Sequence, residues 1–266
     1  MTVDKVLLFP NPKRNLTDNE IKPIEDMLAS VGISCRRYNG CDDFNYDAII
    51  ALGGDGTMLN AARLAFRKNK PVLCINFGTL GYMSGLENSE LSMLSALKSG
   101  FETEHRMLID IKVVRDGVTV ATSTALNEAV VSRQADGEIA GIGLLCDGAT
   151  VCNYRADGVI FATPTGSSAY AMSAGGPIID TKLDAFCVCP ICPHALGARA
   201  MIFSADSVLE ANNQSSDGSN ILLSDGRKII SLLRGDKVTV SKSERTIELI
   251  KLKKDAFYET LYNKMS

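Results

Sequence analysis

The sequence lacks both an excess of basic residues and an apolar run long enough to cross a membrane. Its 266 residues include 28 Lys and Arg against 31 Asp and Glu, which gives a net charge of −3. Proteins that bind nucleic acid or an anionic membrane do so through basic surfaces, so we expect neither partner. A membrane span needs about 18 consecutive apolar residues, and we find no such run. The first apolar run stops at Pro10 and Pro12 and is too short to predict a secretory signal.

The cysteines also lack the regular spacing of a disulfide framework. Most of the eight lie within apolar or strand-like stretches: Cys35, Cys41, Cys74, Cys146, Cys152, Cys187, Cys189 and Cys192. We therefore predict free thiols and a cytoplasmic protein, because the cytoplasm keeps thiols reduced. With 45% apolar and 22% charged residues, the composition is that of a globular protein with a sizeable core.

The first hundred residues alternate strand and helix signals. Buried strands are predicted at 5–10, 46–52 and 71–76, and helices at 17–32, 57–68 and 89–98. This alternation predicts an α/β domain over residues 1–100 with a Rossmann-like parallel sheet, completed by a C-terminal helix within 250–266. In the first helix, the capping box that begins at Thr17 conflicts with Pro23, whose missing N–H favours a start nearer Lys22.

From about Met107 the pattern changes to short strands separated by Asp-Gly pairs. Asp116-Gly117, Asp147-Gly148 and Asp225-Gly226 each stand between apolar-rich runs, which favours two-residue hairpin turns. We therefore predict a mostly antiparallel β domain over residues 101–249. Within it, Gly235-Asp236 is interpreted as a structural turn.

A glycine-rich loop, Gly53 to Thr57, stands between a predicted strand and a predicted helix. Its glycines, with Gly54 and Gly56 on either side of Asp55, let the backbone approach a ligand, and the helix N-terminus offers N–H groups to a phosphate. The loop has no Lys and lacks the spacing of a Walker A loop or a dinucleotide-binding fingerprint. A carboxylate here repels phosphate unless it holds Mg²⁺ or accepts a proton from an attacking hydroxyl. The alternative is a plain strand-to-helix turn in which Asp55 or Thr57 caps the helix.

Three later segments carry side chains suited to a polar ligand. Tyr82 offers a ring face to a flat base, or is a core tyrosine. Neighbouring strand residues face opposite ways, so Asn127 and Glu128 reach one ligand only at a strand end or bulge. The hydroxyl-rich run that follows residue 162 suits an uncharged target such as a ribose, or is a turn in which Ser167 or Ser168 caps a short helix.

Together these segments resemble one family. The Gly53–Thr57 loop resembles a sequence shared by NAD kinases, diacylglycerol and sphingosine kinases and phosphofructokinases. The segments that resemble NAD kinases in particular are Asn76 to Tyr82, Asn127-Glu128, Arg155-Ala156-Asp157-Gly158 and Thr163 to Tyr170. The resemblance runs from about Asp47 to Asp236, with Ala156 and Ala200 as modest departures. The sequence is identified as a member of the ATP-NAD kinase family, of the prokaryotic type.

The resemblance implies an enzyme that transfers a phosphoryl group from ATP, or from polyphosphate, to the 2′-hydroxyl of the adenosine ribose of NAD. It implies an NAD kinase fold with a β-rich NAD-binding domain, and a divalent metal ion, Mg²⁺, that accompanies the triphosphate. Asp55 would be the catalytic residue. The residues expected to bind the two substrates are Gly54, Gly56, Thr57, Asn76, Tyr82, Asn127, Glu128, Arg155, Asp157, Thr165, Ser168, Ala169 and Tyr170. Family members form homodimers or homotetramers, so Arg155 and Asp157 would act partly across a subunit interface.

Two rival functions and one rival site remain. A lipid kinase would need an apolar acceptor pocket or a basic membrane-facing patch, and neither is evident in the sequence. A non-catalytic dinucleotide-binding regulator would be expected to lack Asp55, which is present. The segment Cys187 to His194 has a tight zinc-ligand spacing, but a strand of buried thiols is favoured.

Overall fold

The computed structural model describes residues 2–14, 16–41, 44–78, 81–134, 138–253 and 256–265. The chain divides into two compact units: unit 1 is Met1–His105 with Ile247–Ser266, and unit 2 is Arg106–Thr246. The boundaries predicted from the sequence are 100/101 and 249/250. None of the described helices combines the length and the apolar character that crossing a bilayer requires.

Unit 1 is an α/β unit built on a parallel sheet. Its elements are β1 (Lys5–Pro10), α1 (Asp18–Ser30), β2 (Ser34–Arg37), β3 (Ala48–Leu52), α2 (Asp55–Lys68), β4 (Val72–Asn76), β5 (Leu86–Glu87), a 3₁₀ segment (Asn88–Ser95), α3 (Ala96–Ser99) and α5 (Ala256–Met265). The strand order is β4-β3-β1-β2, and all these strands pair in parallel. β3 and β4 are buried along their whole length, as expected for the centre of a parallel sheet.

The first helix begins at its capping box in spite of Pro23. Glu20 accepts hydrogen bonds from the backbone N–H of Thr17 at 2.8 Å and from its hydroxyl at 3.0 Å, and α1 starts at Asp18. The predicted start nearer Lys22 is therefore wrong. Pro23 and Asn19 are both exposed, so water can reach the Asn19 carbonyl that Pro23 leaves without a helical partner.

The helix predicted over 89–98 is mostly a 3₁₀ segment followed by one α turn. Helical geometry breaks at Glu90, which has φ −111° and ψ 19°. Its side chain accepts from the Glu87 N–H at 2.9 Å and pairs with Lys253 at 2.6 Å. Leu94 and Leu97 are nevertheless fully buried. The apolar spacing thus fixed the buried face but not the hydrogen-bond pattern. The predicted C-terminal helix is α5, and Asp255 lies outside the described residues.

Unit 2 is mostly antiparallel β structure. Its elements are β6 (Glu102–Arg115), β7 (Val118–Ala125), β8 (Glu128–Arg133), β9 (Ala140–Cys146), β10 (Ala149–Ala156), β11 (Gly158–Ala162), a 3₁₀ turn (Gly166–Ser168), α4 (Tyr170–Ser173), β12 (Ala185–Ile191), β13 (Met201–Ser204), β14 (Leu209–Asn213), β15 (Asn220–Ser224), β16 (Arg227–Leu232) and β17 (Lys237–Lys251). One sheet has the order β13-β12-β11-β8-β15-β16, and β10-β9-β14-β17 form a second run. Phe161 and Phe186 are fully buried in the core of the unit. The predicted fold class is confirmed.

All three Asp-Gly pairs form the predicted hairpin turns. In Asp116-Gly117, Asp147-Gly148 and Asp225-Gly226 the aspartates have φ of 50°, 51° and 44°, and the glycines 78°, 81° and 72°. Positive φ at both residues is what a type I′ turn requires. The turns join β6 to β7, β9 to β10 and β15 to β16.

Two further sequence interpretations have a structural outcome in unit 2. Asp236 is 1% exposed and bonds Arg115 at 2.8 and 2.7 Å, which confirms it as a structural residue. Burial alone would raise the pKa of Asp236, but the Arg115 hydrogen bonds hold it below its usual range. Cys187 and Cys189 are buried in an apolar cluster, and burial raises the pKa of Cys187 to about 11. All eight cysteines are free.

Candidate active site

The glycine loop lies at the carboxyl edge of the sheet of unit 1. β1, β3 and β4 are parallel neighbours, so their carboxyl ends meet at this edge. The loop leaves β3 at Gly53, whose N–H donates to the carbonyl of Ile75 at 3.0 Å. α2 then begins at Asp55 with Gly54 as its N-cap, so the predicted cap by Asp55 or Thr57 is wrong. Strand ends and a helix N-terminus at such an edge expose backbone groups to ligands.

Two different constraints account for the glycines of this loop. Gly53 has φ +154°, and a Cβ there would come within 2.3 Å of the Thr57 hydroxyl oxygen, so the fold itself requires glycine. A Cβ at Gly54 or Gly56 would instead meet no atom within 4 Å, and neither residue has a positive φ. Nothing in the described part of unit 1 demands glycine at these two positions. They leave bare backbone facing outward, where a ligand can approach closely.

The carboxylate of Asp55 is fixed by the backbone of a neighbouring segment. It accepts hydrogen bonds from the N–H of Tyr82 at 3.0 Å and from the N–H of Met83 at 3.1 Å, one to each oxygen. A Cβ at Gly81 would come within 2.1 Å of this carboxylate, so Gly81 leaves the space that Asp55 fills. Each carboxylate oxygen has a second lone pair with which to accept a proton or a further hydrogen bond.

Two buried polar atoms beside the loop have no hydrogen-bond partner among the described residues. They are Oγ1 of Thr57, which is 3% exposed, and Oδ1 of Asn76, which is 6% exposed. The amide nitrogen of Asn76 does donate to the Gly78 carbonyl at 2.8 Å. Because buried polar groups are nearly always hydrogen-bonded, these two atoms indicate water or a ligand at the loop.

The ring of Tyr82 contacts two side chains of the C-terminal helix, α5. Nζ of Lys264 lies 4.7 Å from the ring centroid, and the Phe257 ring lies 6.4 Å away. α5 therefore packs on the same short segment that holds Asp55. Thr79 and Leu80, which complete the resemblance around Tyr82, lie outside the described residues.

In unit 2, Asn127 and Glu128 lie at the start of β8, and the predicted strand-end geometry is confirmed. Asp225, in the β15–β16 turn, holds this strand end. Its carboxylate accepts from the backbone N–H groups of Leu126, Asn127 and Glu128 at 3.1, 2.8 and 3.3 Å. Both predicted side chains are buried, and Oδ1 of Asn127 and Oε2 of Glu128 lack a partner within the described chain. These oxygens are available to a polar ligand.

Glu128 is a buried acid in an unfavourable electrostatic position. Its side chain is shielded from water and lies near the carboxylate of Asp225. Burial, with a smaller contribution from the negative charge of Asp225, raises the pKa of Glu128 to about 7. Near neutral pH the group therefore populates both its acceptor-only and its donor form.

The hydroxyl-rich turn packs against the same strand end. The Thr163 hydroxyl donates to the Leu126 carbonyl at 2.6 Å, and the Thr163 N–H donates to the Asn127 carbonyl at 2.8 Å. A Cβ at Gly166 would lie 2.1 Å from that Asn127 carbonyl oxygen. Residues 163–168 and Asn127-Glu128 thus form one polar cluster within unit 2.

Two side chains of the turn are held by hydrogen bonds within unit 2. Ser167 is fully buried, donates to the Pro164 carbonyl at 2.6 Å and accepts from the Ile179 N–H at 2.8 Å, so its role is structural. Thr165 accepts from the buried guanidinium of Arg106 at 3.3 Å.

Neither serine of the turn caps a helix. Thr165 and Ala169 occupy the N-cap positions of the 3₁₀ turn and of α4, so the predicted caps at Ser167 and Ser168 are wrong. Ser168 instead donates to the Thr165 carbonyl at 3.1 Å. Tyr170 is 44% exposed at the start of α4, which leaves its ring accessible.

Asp157 does not join this cluster, and Arg155 lies on β10, two residues before it. Ala162 pairs with Glu128 at one end of the β8–β11 ladder, and Gly158 pairs with Ser132 four residues along it. Four residues of strand span about 13 Å, so Asp157 lies near the opposite end of the ladder from Glu128. There its carboxylate pairs with the Arg133 guanidinium at 2.6 Å.

Asp225, Thr163 and Arg106 were not among the predicted site residues. Asp225 was recognised only as a turn residue, yet it bonds a backbone N–H 98 residues earlier in the chain. The Asp-Gly pair predicts the hairpin, but no sequence pattern predicts where a hairpin tip packs. Thr163 begins the recognised hydroxyl-rich run, but the sequence pattern could not predict its hydrogen bonds to the Leu126 and Asn127 carbonyls.

Comparison with known proteins adds a consistent set of similarities. Residues 20–99 match the family description ATP-NAD kinase N-terminal domain, and residues 126–252 match ATP-NAD kinase C-terminal domain. The chain is 40% identical to an NAD kinase of Symbiobacterium thermophilum over 222 residues, which is 83% of this chain and 78% of the relative. It is 31% identical to an NAD kinase of Geotalea daltonii over 249 residues, 92% of this chain and 88% of the relative.

Two solved structures have a similar fold. A crystal structure of an NAD kinase from Archaeoglobus fulgidus in complex with ATP superposes with a TM-score of 0.79, at 26% identity over 98% of each chain. Yeast NADH kinase complexed with NADH superposes with a TM-score of 0.87 over 99% of this chain and 88% of that one. At 20% identity the yeast likeness concerns the fold alone.

The raised pKa of Glu128 predicts a pH-dependent stability. Between the unfolded value of 4.5 and the folded value of about 7, the folded chain holds a proton that the unfolded chain has released. Stability therefore falls as pH rises through this window, by up to about 3 kcal/mol. Glu128→Gln removes the titration, so we expect it to stabilise the protein at pH 8 and to leave it nearly unchanged at pH 5. Denaturant unfolding at the two pH values measures this.

The matched control for this measurement is Glu244→Gln, which changes an exposed glutamate in the same unit. It should shift stability equally at both pH values. An equal shift for Glu128→Gln at pH 5 and pH 8 would contradict the assignment.

Proposed function

The chain belongs to the NAD kinase family, and from this premise we propose that it transfers the γ-phosphoryl group of ATP to the 2′-hydroxyl of the adenosine ribose of NAD, giving NADP. The observation that carries the proposal is the carboxylate of Asp55, which is fixed by two backbone N–H groups beside a glycine loop at a helix N-terminus. Family membership supports NAD as the acceptor, and the geometry of the loop supports phosphoryl transfer assisted by a carboxylate.

Asp55 acts as the general base in this proposal. A ribose hydroxyl is a poor nucleophile at neutral pH, so a positioned carboxylate that takes its proton lowers the barrier. The hydroxyl oxygen then bonds to the γ-phosphorus, the bond to the bridging oxygen of ADP breaks, and the proton stays on Asp55 until it passes to solvent. The backbone bonds from Tyr82 and Met83 hold the carboxylate in one orientation while leaving a lone pair on each oxygen for this step.

The glycine loop binds the donor phosphates. Gly54 and Gly56 present backbone with open space in front of it, and the N-terminus of α2 adds a positive dipole end. Mg²⁺ enters as part of the Mg–ATP substrate and neutralises charge that develops on the phosphates. The described residues contain no group of three or more His, Cys, Asp and Glu side chains suited to a metal. Polyphosphate offers the same groups and stays an alternative donor.

The polar cluster of unit 2 binds NAD. The available oxygens of Asn127 and Glu128 suit ribose hydroxyls and an adenine edge, because both accept hydrogen bonds and the carboxyl of Glu128, when protonated, can also donate one. Thr165 and Ser168 line the adjoining turn, while Ala169 and the exposed Tyr170 offer apolar contact to a ring.

We also propose a cytoplasmic homodimer or homotetramer. Eight free thiols fit a reducing compartment. Asp157 lies away from the polar cluster of its own chain, and Arg155 lies two residues before it, which supports a role for them toward the site of another subunit.

The rate of phosphoryl transfer should depend on the carboxylate of Asp55 and on its position. We expect Asp55→Asn to lower kcat by about 10²–10⁴-fold, the usual effect of losing a general base, with KM for NAD changed little. Gly81→Ala should also lower kcat, because its Cβ needs the space of the Asp55 carboxylate. NADP formation from NAD, ATP and Mg²⁺, followed with an NADP-specific dehydrogenase, measures both.

Asp26→Asn is the control for that assay, since it removes an exposed carboxylate on α1. Full activity in Asp55→Asn would remove Asp55 as the base but keep the reaction. Absence of NADP with both ATP and polyphosphate in the unaltered protein would overturn the proposed function.

Replacing Gly56 should raise stability and weaken donor binding at the same time. Its replacement by Ala places a better helix former in the first turn of α2, so we expect thermal stability to rise by roughly 0.5–1 kcal/mol. The same methyl group faces the open space where phosphates would lie, so KM for ATP should rise while KM for NAD stays within twofold. Gly197→Ala, at another glycine with open surroundings, is the control. An unchanged KM for ATP would contradict phosphate binding at this position.

The proposed oligomer is tested by light scattering on the purified protein at micromolar concentration. We expect a mass of two or four chains of 28.6 kDa. Mixing Arg155→Ala protein with an Asp55→Asn partner should recover part of the activity if Arg155 serves another subunit. A monomer with full activity would contradict both statements.

A further inference from the structure

Walker-type phosphate loops contain a lysine, whereas the glycine loop of this chain contains no basic residue. The Gly53–Thr57 segment contains one carboxylate and no Lys or Arg. Phosphoryl transfer depends on neutralising the triphosphate, and Mg²⁺ alone leaves negative charge on it. A nearby side chain that brings positive charge to the loop would therefore assist the proposed function, on which this inference rests.

Arg14 reaches this edge of the sheet from the end of β1. In the sheet, β3 lies between β1 and β4. Arg14 follows β1 in sequence, and its Nη1 donates to the carbonyl of Phe77, which follows β4. The side chain therefore spans from the end of β1 to the end of β4, on either side of the strand that begins the glycine loop. A Cβ at Gly78 would lie 4.0 Å from Nη1, so the guanidinium also lies close to the turn after β4.

Two buried polar atoms at the same edge of the sheet, without a partner in the described part of the chain, point to a polar ligand there. Oγ1 of Thr57 is buried beneath Gly53, at 2.3 Å from where a Cβ of Gly53 would be, and it has no partner in the described chain. Oδ1 of Asn76, at the end of β4, is buried and likewise unpartnered among the described residues. Both lie at the carboxyl edge over which Arg14 extends.

We infer that Arg14 binds the phosphates of the donor, in the role that a lysine within the loop has in Walker-type sites. Its guanidinium keeps N–H groups beyond the two that bond the protein, and a planar guanidinium matches phosphate oxygens in pairs. The assignment concerns phosphates and not the base, so it applies equally to ATP and to an inorganic polyphosphate.

Glu20 forms an ion pair with Arg14 and so competes with phosphate for its guanidinium. Its carboxylate pairs with Nη2 of Arg14 at 3.0 Å, and it also completes the capping box of α1. A triphosphate competes with Glu20 for the guanidinium. Glu20→Gln keeps the side-chain oxygen that the capping box needs and removes the competing charge, so it should strengthen donor binding.

The test is calorimetric binding of ATP and of inorganic tripolyphosphate, each with Mg²⁺, to the full-length protein. Arg14→Gln should weaken both ligands by about tenfold and to the same extent, because a charge-assisted bond to phosphate is lost. Arg14→Lys should recover part of the affinity, since it keeps the charge without the paired geometry. Glu20→Gln should tighten both ligands. In NADP formation, Arg14→Gln should raise KM for ATP about tenfold and leave KM for NAD within twofold.

Lys22→Gln is the matched control, because it removes an exposed positive charge on α1 that pairs with Asp26. It should leave binding of both ligands unchanged. Affinities of Arg14→Gln within twofold of the unaltered protein would overturn the inference, as would a loss confined to ATP with tripolyphosphate unaffected.

If Arg14→Gln fails to fold, the Arg14→Lys and Glu20→Gln variants still decide the matter, and unchanged affinities in both would overturn it. Failure of the proposed function is distinguishable, since it appears as absent NADP formation in the unaltered protein. Arg14-dependent binding of ATP and tripolyphosphate would still support the phosphate assignment in that case.

Discussion

The carboxylate of Asp55, bonded to the backbone N–H groups of Tyr82 and Met83, links the glycine loop to the segment that follows β4. This interaction explains several residues at once. Gly81 must lack a side chain because the carboxylate fills that space. The aromatic contacts of Tyr82 with α5 then brace the same segment from outside. A reactive group built into the backbone hydrogen bonding of its surroundings is preorganised, so it needs little reorganisation during the reaction.

In unit 2, a different aspartate likewise accepts hydrogen bonds from backbone N–H groups. Asp225 accepts hydrogen bonds from three successive backbone N–H groups and so fixes the strand end that presents Asn127 and Glu128. The charge has a second effect, because it adds to the burial that raises the pKa of Glu128. A turn residue thereby fixes the position of Glu128 and contributes to its raised pKa. In each unit, a carboxylate organises backbone, and neighbouring side chains remain available to a substrate.

The charges around the loop explain how an acidic protein can bind a triphosphate. The chain has a net charge of −3, so phosphate binding here depends on local groups. Bare backbone at Gly54 and Gly56, the N-terminus of α2 and the guanidinium of Arg14 supply positive potential at one edge of the sheet. Asp55 can then lie beside phosphates without excessive repulsion, because its negative charge is directed toward backbone N–H groups.

The sequence by itself determined the fold class, the three Asp-Gly hairpins, the glycine loop and the family. These depend on local rules: apolar periodicity, the positive φ of Asp-Gly turns and a dense run of matching residues. Local rules failed where several interactions competed. α1 kept its capping box despite Pro23, and the segment 88–95 is 3₁₀ with a break at Glu90, although Leu94 and Leu97 are buried as their spacing predicted.

Only the tertiary structure decided which distant residues support the site. Asp225 is 98 residues from Asn127 in sequence, and Arg14 is 63 residues from Phe77, yet each pair is hydrogen-bonded. Such contacts arise from strand order and hairpin packing, which bring together residues with no sequence signal for one another. The sequence could propose candidate groups for the chemistry because their types and spacing are specific. It could not identify the groups that hold them in place, because almost any acceptor or cation would serve and only geometry selects among them.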